Sequence, residues 1–291
     1  MTHGLDLDYV RKLVKEALAE DGAFRDVTTL SLVPPEQRGR GVFLAKEPGV
    51  VCGVPVAQAA FAAIDESVRM TALREDGQFV EAGGVIAEVE GSLAAILSAE
   101  RVALNFMQRL GGTATLTRAL VDVVAGTQAR IVDTRKTTPG LRALERYAVR
   151  VGGGGNHRYN LADGVLIKDN HLAAAASRGL SMRDVLASAR AGVPHTMRIE
   201  VEVESFEQAQ AAVEGGADVI LLDNMDPAEM ARCVRMIAGR ALTEASGGIT
   251  LQNARAIAES GVDIMSSGAL THSAKALDIS LEIETVAGQR T

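Results

Sequence analysis

Residues 198–224 read RIEVEVESFEQAQAAVEGGADVILLDN. Two short β-branched runs, RIEVEV (198–203) and DVILLD (218–223), enclose a stretch with helical spacing at 205–215. This strand–helix–strand unit recurs in both directions. Upstream lie ARIVDT (129–134) and GVLIKD (164–169), and downstream ALTEAS (241–246) and VDIMSS (262–267). Helical spacing fills 140–151, 181–191, 226–239 and 250–260 between them. Alternation of strand and helix roughly every 20 residues predicts a parallel sheet, closed or open. No sequence repeat accompanies the rhythm, which excludes a solenoid.

The polar residues decide between barrel and open sheet. They stand at the C-terminal ends of nearly every run: Asp133-Thr134-Arg135-Lys136, Lys168-Asp169-Asn170-His171, Glu202, Asp223-Asn224, Ser246-Gly247-Gly248 and Ser267-Gly268. Six strands delivering functional groups at one end is how β/α barrels build a site. A doubly wound sheet would concentrate them at one switch point. With six strands countable, the barrel is expected to be incomplete.

Working outward, residues 5–20 carry Leu5, Tyr9, Val10, Leu13, Val14, Ala17 and Leu18 at helical spacing, ending near Gly22. Residues 41–56 and 66–90 read as short strands broken by glycine, and 93–110, extending toward 125, as helix. The expected division is an N-terminal α/β domain over 1–112, joined by the C-terminal tail 272–291, and a barrel over 113–271.

Composition narrows the function. Apolar residues make up 47% and charged residues 23%, which is ordinary globular material. The net charge of −7 argues against general nucleic-acid binding, and 3% aromatics with no Trp argues against base stacking. Cys52 and Cys233 fit no CxxC pattern and read as reduced buried thiols. The N-terminal segment has acids where a secretory leader has bases, and no apolar run approaches the roughly 20 residues of a membrane span. A soluble cytoplasmic enzyme is the expectation.

The positive charge is concentrated. Between 133 and 171 stand Arg135, Lys136, Arg158 and Lys168, with His157 and His171, at or beside strand ends. Like charges about 4 Å apart repel by about 4 kcal/mol at an effective dielectric near 20, so such a cluster implies a bound anion. Arg142, Arg146 and Arg150, at helical spacing, read instead as a solvated helix face. The run Gly152–Gly155 before Asn156-His157-Arg158 reads as a loop bringing backbone N–H groups to an anion, with a flexible linker as the alternative. Ser246-Gly247-Gly248, before a helix expected near Thr250, and Ser267-Gly268-Ala269 are further anion candidates. Ordinary strand–helix turns are the plainer reading of both.

Glu202 and Asp223 end successive strands and suit Mg²⁺, sugar hydroxyls or a developing positive charge. Glu200 and Glu204 alternate with Glu202, so the period alone leaves open which faces the site. There is no GxSxG elbow and no Cys–His pair. Electrostatic rather than covalent catalysis is implied.

These motifs together resemble the quinolinate phosphoribosyltransferase family, the carboxylating nicotinate-nucleotide pyrophosphorylases. The likeness runs from DVTT (26–29) to HSAKALDISL (272–281). It is densest in ERVALNFMQRLGGTAT (100–115), DTRKTTPGLR (133–142), GGGGNHRYNL (152–161), IKDNH (167–171), EVEVES (200–205), LLDN (221–224) and EASGGI (244–249). The resemblance implies an N-terminal α/β sandwich and an incomplete barrel of seven strands. It also implies a homodimer with shared sites, or a higher oligomer built from it, and Mg²⁺ as cofactor. The implied reaction joins quinolinate to phosphoribosyl pyrophosphate and yields nicotinate mononucleotide, pyrophosphate and CO₂. By motif, Thr134, Arg135, Lys136, His157, Arg158 and Lys168 surround quinolinate, and Arg101 reaches it from the neighbouring subunit. Lys136, Glu202 and Asp223 serve catalysis, the two acids facing ribose and metal. Ser246, Gly247 and Gly248, with Ser267, Gly268 and Ala269, hold the 5′-phosphate. Ala245 and Ser266-Ser267 depart slightly from the family pattern, and neither removes a charge. A related pyrophosphorylase linked to molybdate transport is one competing reading, opposed by retention of all four cations. A lipoyl- or biotinyl-type carrier, suggested by DGQFVEAGGVIAEVEG (76–91), is opposed by the lack of any Lys in 66–100.

Overall fold

The computed structural model describes residues 4–285, with the side chain of Thr285 excepted. Residues 1–3 and 286–291, the latter part of the expected C-terminal tail, lie outside the described residues. The chain forms two compact units. The first comprises residues up to 118, 139–153 and from 274 onward, and the second comprises 119–138 and 154–273. The expected boundary at 112 thus falls within a helix, and the segment 139–153 groups with the first unit.

The first unit holds helices α1 (Leu7–Glu20), α2 (Val27–Leu32), α3 (Val54–Ile64) and most of α4 (Leu93–Val123), with α5 (Arg142–Val151). Its strands are β1 (Arg38–Ala45), β2 (Gly49–Val50), β3 (Arg69–Ala72), β4 (Phe79–Val80), β5 (Val85–Ser92) and, from the chain end, β12 (Ile279–Thr285). The main sheet runs β12-β1-β5-β3, antiparallel throughout, and β2 pairs with β4. Alternating burial along β1 puts Phe43 and Ala45 in the core, where Phe43 meets Phe61 of α3 edge-on at 6.0 Å. The Asp6 side chain caps α1 by accepting from the Asp8 and Tyr9 N–H groups, and Val10, Val14 and Leu18 bury its apolar stripe. Gly112 of α4 is fixed by proximity: a Cβ there would collide with the Lys275 carbonyl oxygen.

The second unit contains β6 (Arg130–Val132), β7 (Val165–Ile167), β8 (Ile199–Val203), β9 (Val219–Asp223), β10 (Leu242–Ser246) and β11 (Ile264–Ser266). Between and after them come α6 (Asp169–Ala176), α7 (Met182–Gly192), α8 (Phe206–Glu214), α9 (Pro227–Ile237), α10 (Ala254–Glu259) and α11 (Ala269–His272). Each of the six predicted runs forms its strand. All pairs are parallel, in the order β6-β11-β10-β9-β8-β7. The first strand of the unit pairs with the last, and the rest follow in chain order. That cyclic order belongs to a barrel, opened between β6 and β7. The implied seventh strand is reduced to one parallel bridge, Val132 with Gly155. β9 is buried along its first four residues, as a strand covered on both faces must be. Ser205 and Asp226 cap α8 and α9, setting where each helix leaves its strand end.

Three local readings are corrected. Residues 54–64, begun as strand in the reading of 41–56, are helix α3, with Pro55 in its first turn. Asp169-Asn170-His171 open helix α6 rather than ending a strand. Arg146 is buried, not part of a solvated face, because α5 is buried from Leu144 through Val149. Among the described residues no helix is long and apolar enough to cross a membrane.

Candidate active site

The carboxyl ends of the barrel strands surround a hollow of about 560 Å³ within the second unit. Thr134, Arg135, Lys136, His157, Arg158, Lys168, Glu202, Asp223, Ser246, Gly247 and Gly248 line it, as the sequence placed them. Leu166, Leu221, Asn224, Glu244 and Ser266 complete the wall. Ser267, Gly268 and Ala269 do not line it but stand behind it. The Ser267 N–H donates to the Val132 carbonyl at 3.0 Å, and Ala269 starts α11. A Cβ on Gly268 would lie 2.9 Å from Lys136 Cδ, so the glycine leaves room for that lysine. Arg101 is exposed on α4 and is not among the lining side chains.

Arg158 and His157 are aimed by Asp133, a fully buried residue at the end of β6. Its carboxylate accepts from Asn156 Nδ2 at 2.6 Å and from the His157 N–H at 2.8 Å, pinning the loop. The Arg158 guanidinium donates to the Gly164 carbonyl at 2.8 Å. Burial and the positive charge of Arg135 hold its pKa below the ordinary arginine value, against an opposing pull from Glu200. A guanidinium depressed by a neighbouring positive charge in a hollow calls for an anion.

Lys168 Nζ donates to Glu202 Oε2 at 2.8 Å. Asp223, on the neighbouring strand, accepts from Asn224 Nδ2 at 2.8 Å. Burial and the charge of Glu202 raise the Asp223 pKa, against smaller opposing pulls from Asn224, Lys168 and Lys136. A carboxylate pair with hard oxygen donors and mutual repulsion suits a divalent cation such as Mg²⁺. Glu204 is exposed beyond the strand end, which leaves Glu202 as the member of its set beside Lys168.

The Ser246–Gly248 turn is built around Asn224, which sits at φ 53 and donates its N–H to the Ser246 carbonyl at 2.9 Å. Gly247 has φ 90, and a Cβ there would run into the Asn224 side-chain amide. Gly248 follows at φ 59. Helix α10 starts at Ala254, not near Thr250, because Asn253 folds back to accept from the Thr250 N–H and donate to the Gly248 carbonyl.

The run Gly152–Gly155 is not an anion cradle. The N–H groups of Gly152, Gly153 and Gly155 go to the Ala148, Arg150 and Ile131 carbonyls, and none of the four lines the hollow. The run ends α5, with Gly153 at φ 96, and leads into the bridge at Gly155. His171 is a capping residue whose Nδ1 accepts the Lys168 N–H at 2.9 Å.

The sequence reading missed a buried group behind the cations. His157 Nε2 lies 3.2 Å from Glu200 Oε2 and 3.6 Å from Glu244 Oε1. Glu200 and Glu244 are both buried. Burial and the charge of Glu200 push the Glu244 carboxyl up to about 7, despite the opposing pulls of His157 and Ser266. Burial lowers the His157 pKa, but hydrogen bonding to Glu200 and the charges of Glu244 and Glu200 outweigh it and leave it raised. A second ring proton has only Nδ1 to go to, and that atom already accepts the Arg158 N–H at 2.8 Å. Two acidic residues in the middle of apolar strands were the available signal.

A polar hollow at the strand ends of an open β/α barrel defines the class: a barrel enzyme that handles small anions. Models of the quinolinate phosphoribosyl transferase N-terminal and C-terminal domains match residues 26–111 and 113–282. The chain is 44% identical over 274 residues to a Bacillus subtilis protein named probable carboxylating nicotinate-nucleotide pyrophosphorylase, covering 94% of this chain and 93% of that one. It is 42% identical to a chloroplastic carboxylating nicotinate-nucleotide pyrophosphorylase of Arabidopsis thaliana, covering 95% and 83%. The crystal structure of NadC from Streptococcus pyogenes superposes with a TM-score of 0.92 at 39% identity, covering 97% and 99%. The chain belongs to the quinolinate phosphoribosyltransferase family.

Proposed function

We propose that this enzyme transfers the phosphoribosyl group of phosphoribosyl pyrophosphate to quinolinate with loss of CO₂, giving nicotinate mononucleotide and pyrophosphate for de novo NAD biosynthesis. The observation that carries the reading is the convergence of Arg135, Lys136, Arg158 and Lys168 on the hollow that also holds Glu202 and Asp223. A pyridine dicarboxylate and a phosphorylated sugar are the kind of pair that needs both halves.

The two guanidiniums and Lys168 bind the quinolinate carboxylates, with Leu166 and Leu221 offering apolar surface to the ring. Lys136 lines the same hollow as the Ser246–Gly248 turn. As pyrophosphate departs, positive charge develops at the ribose carbon, and Glu202 and Asp223 stabilise it. The ring nitrogen attacks in line, so holding the two reactants in register is the main catalytic contribution. The resulting cationic ring nitrogen stabilises the electron pair that stays on the adjacent ring carbon when its carboxylate leaves as CO₂, and a proton from solvent then completes that carbon. Glu202 and Asp223 would hold Mg²⁺, which would supply neutralisation of the pyrophosphate charge. The working form is a cytoplasmic homodimer in which Arg101, exposed on α4, serves the partner's site.

The test is CO₂ release from carboxyl-labelled quinolinate with Mg²⁺ and phosphoribosyl pyrophosphate, beside a nicotinate reaction followed by mononucleotide formation. Turnover of quinolinate that EDTA abolishes is expected. Robust turnover of nicotinate with none of quinolinate would overturn the substrate assignment.

A further inference from the structure

We propose that Glu200 and Glu244 are positioning residues that hold His157 as the neutral Nε2–H tautomer, so that its ring braces the Arg158 peptide and gives no proton to the substrate. The kinetic arm of this inference rests on the quinolinate reading above, while the tautomer arm does not.

The geometry assigns both ring nitrogens. Nδ1 accepts the Arg158 backbone N–H at 2.8 Å, so it carries a lone pair. Nε2 faces Glu200 Oε2 at 3.2 Å and Glu244 Oε1 at 3.6 Å, so it carries the proton. A ring so engaged has no acidic hydrogen left to aim at a departing group. What it controls is the chain beside it. Asp133 holds the His157 N–H and His157 Nδ1 holds the Arg158 N–H, so consecutive amides are fixed just before the guanidinium that meets the substrate. Rotation of the ring would strip the Arg158 N–H of this acceptor and loosen that guanidinium.

The carboxyl pair is suited to holding a ring rather than an ion. The nearest oxygens of Glu200 and Glu244 lie within 4.8 Å of each other and of Nε2, a spacing that a metal ion also accepts. Metal at Nε2, however, would send the ring proton to Nδ1, directly against the Arg158 N–H. Glu200 Oε1 and Glu244 Oε1 are buried without hydrogen-bond partners. Glu200 stands on β8 and Glu244 on β10, elements as rigid as the fold offers.

The experiment uses the full chain labelled with ¹⁵N-histidine, with H157Q to assign the signal. The expected spectrum shows one bare and one protonated ring nitrogen, with Nδ1 bare, in the range from about pH 8 upward, above the raised titration of the ring. Adding Mg²⁺ or Zn²⁺ leaves both signals in place. E200Q keeps an acceptor for Nε2–H, so it retains the tautomer and a near-normal quinolinate KM. E200L loses the tautomer and raises that KM by about tenfold, with a smaller change in kcat, as expected for loss of one hydrogen bond to a charged group. Should E200L fail to fold, the wild-type spectrum and E200Q still decide. A doubly protonated His157 in that range, metal displacing the Nε2 proton, or a fall in kcat alone in E200L would overturn the proposal. Absence of quinolinate turnover in the wild type would sink the substrate reading and leave the tautomer result standing.

Discussion

Replacing Glu244 by glutamine should change how stability depends on pH, in a direction the structure dictates. The buried carboxyl is pushed from an ordinary 4.5 up to about 7. A folded-state value above the unfolded one means that the native chain binds the extra proton between those two pH values. Stability from this group is therefore fully present below about pH 4.5, falls as the pH rises, and is gone above about pH 7. About 2.5 units at about 1.4 kcal/mol each gives a swing on the order of 3 kcal/mol across that window. Glutamine cannot ionise and takes nearly the same space. The variant should match wild type near pH 5 and become the more stable protein by pH 8, by several degrees in Tm at roughly 2–4 °C per kcal/mol. Thermal unfolding of both proteins in matched buffers reads the difference directly, and the titration of groups remote from the His157–Glu200–Glu244 cluster cancels in it. Curves that stay parallel from pH 5 to pH 8 would refute the reasoning, because Glu244 would then titrate alike folded and unfolded.

Three other outcomes follow from the geometry. Gly247→Ala combines a left-handed backbone with a collision at Asn224, and should lower Tm and weaken phosphoribosyl pyrophosphate binding together, as thermal shift and KM measurements would show. Arg158→Ala should raise the quinolinate KM by about 10–100-fold with an unchanged circular dichroism spectrum, and near-normal kinetics would remove the residue from the site. Mixing Arg101→Ala with Lys168→Ala subunits should restore about a quarter of wild-type activity if each dimer site takes Arg101 from its neighbour, since half the dimers are mixed and each holds one intact site. No rescue after verified subunit exchange would mean that sites are not shared.

The sequence by itself determined the parallel strand–helix succession and most of the lining of the hollow. Strand and helix periods are local, and the polar residues that close RIEVEV, DVILLD and ALTEAS mark one end of the sheet without any knowledge of its neighbours. Tertiary structure decided the rest, because each remaining question turned on partners far apart in the chain. Whether Gly152–Gly155 cradle an anion depends on which carbonyls take their N–H groups, and the Ala148, Arg150 and Ile131 carbonyls take three of them. Residues 139–153 join the first unit through packing of Leu144, Tyr147 and Ala148 into a core that no local period announces. Alternation along β8 could not separate Glu200 from Glu202, since both point inward. Only the arrival of His157 beside one and Lys168 beside the other gives the two carboxylates different work.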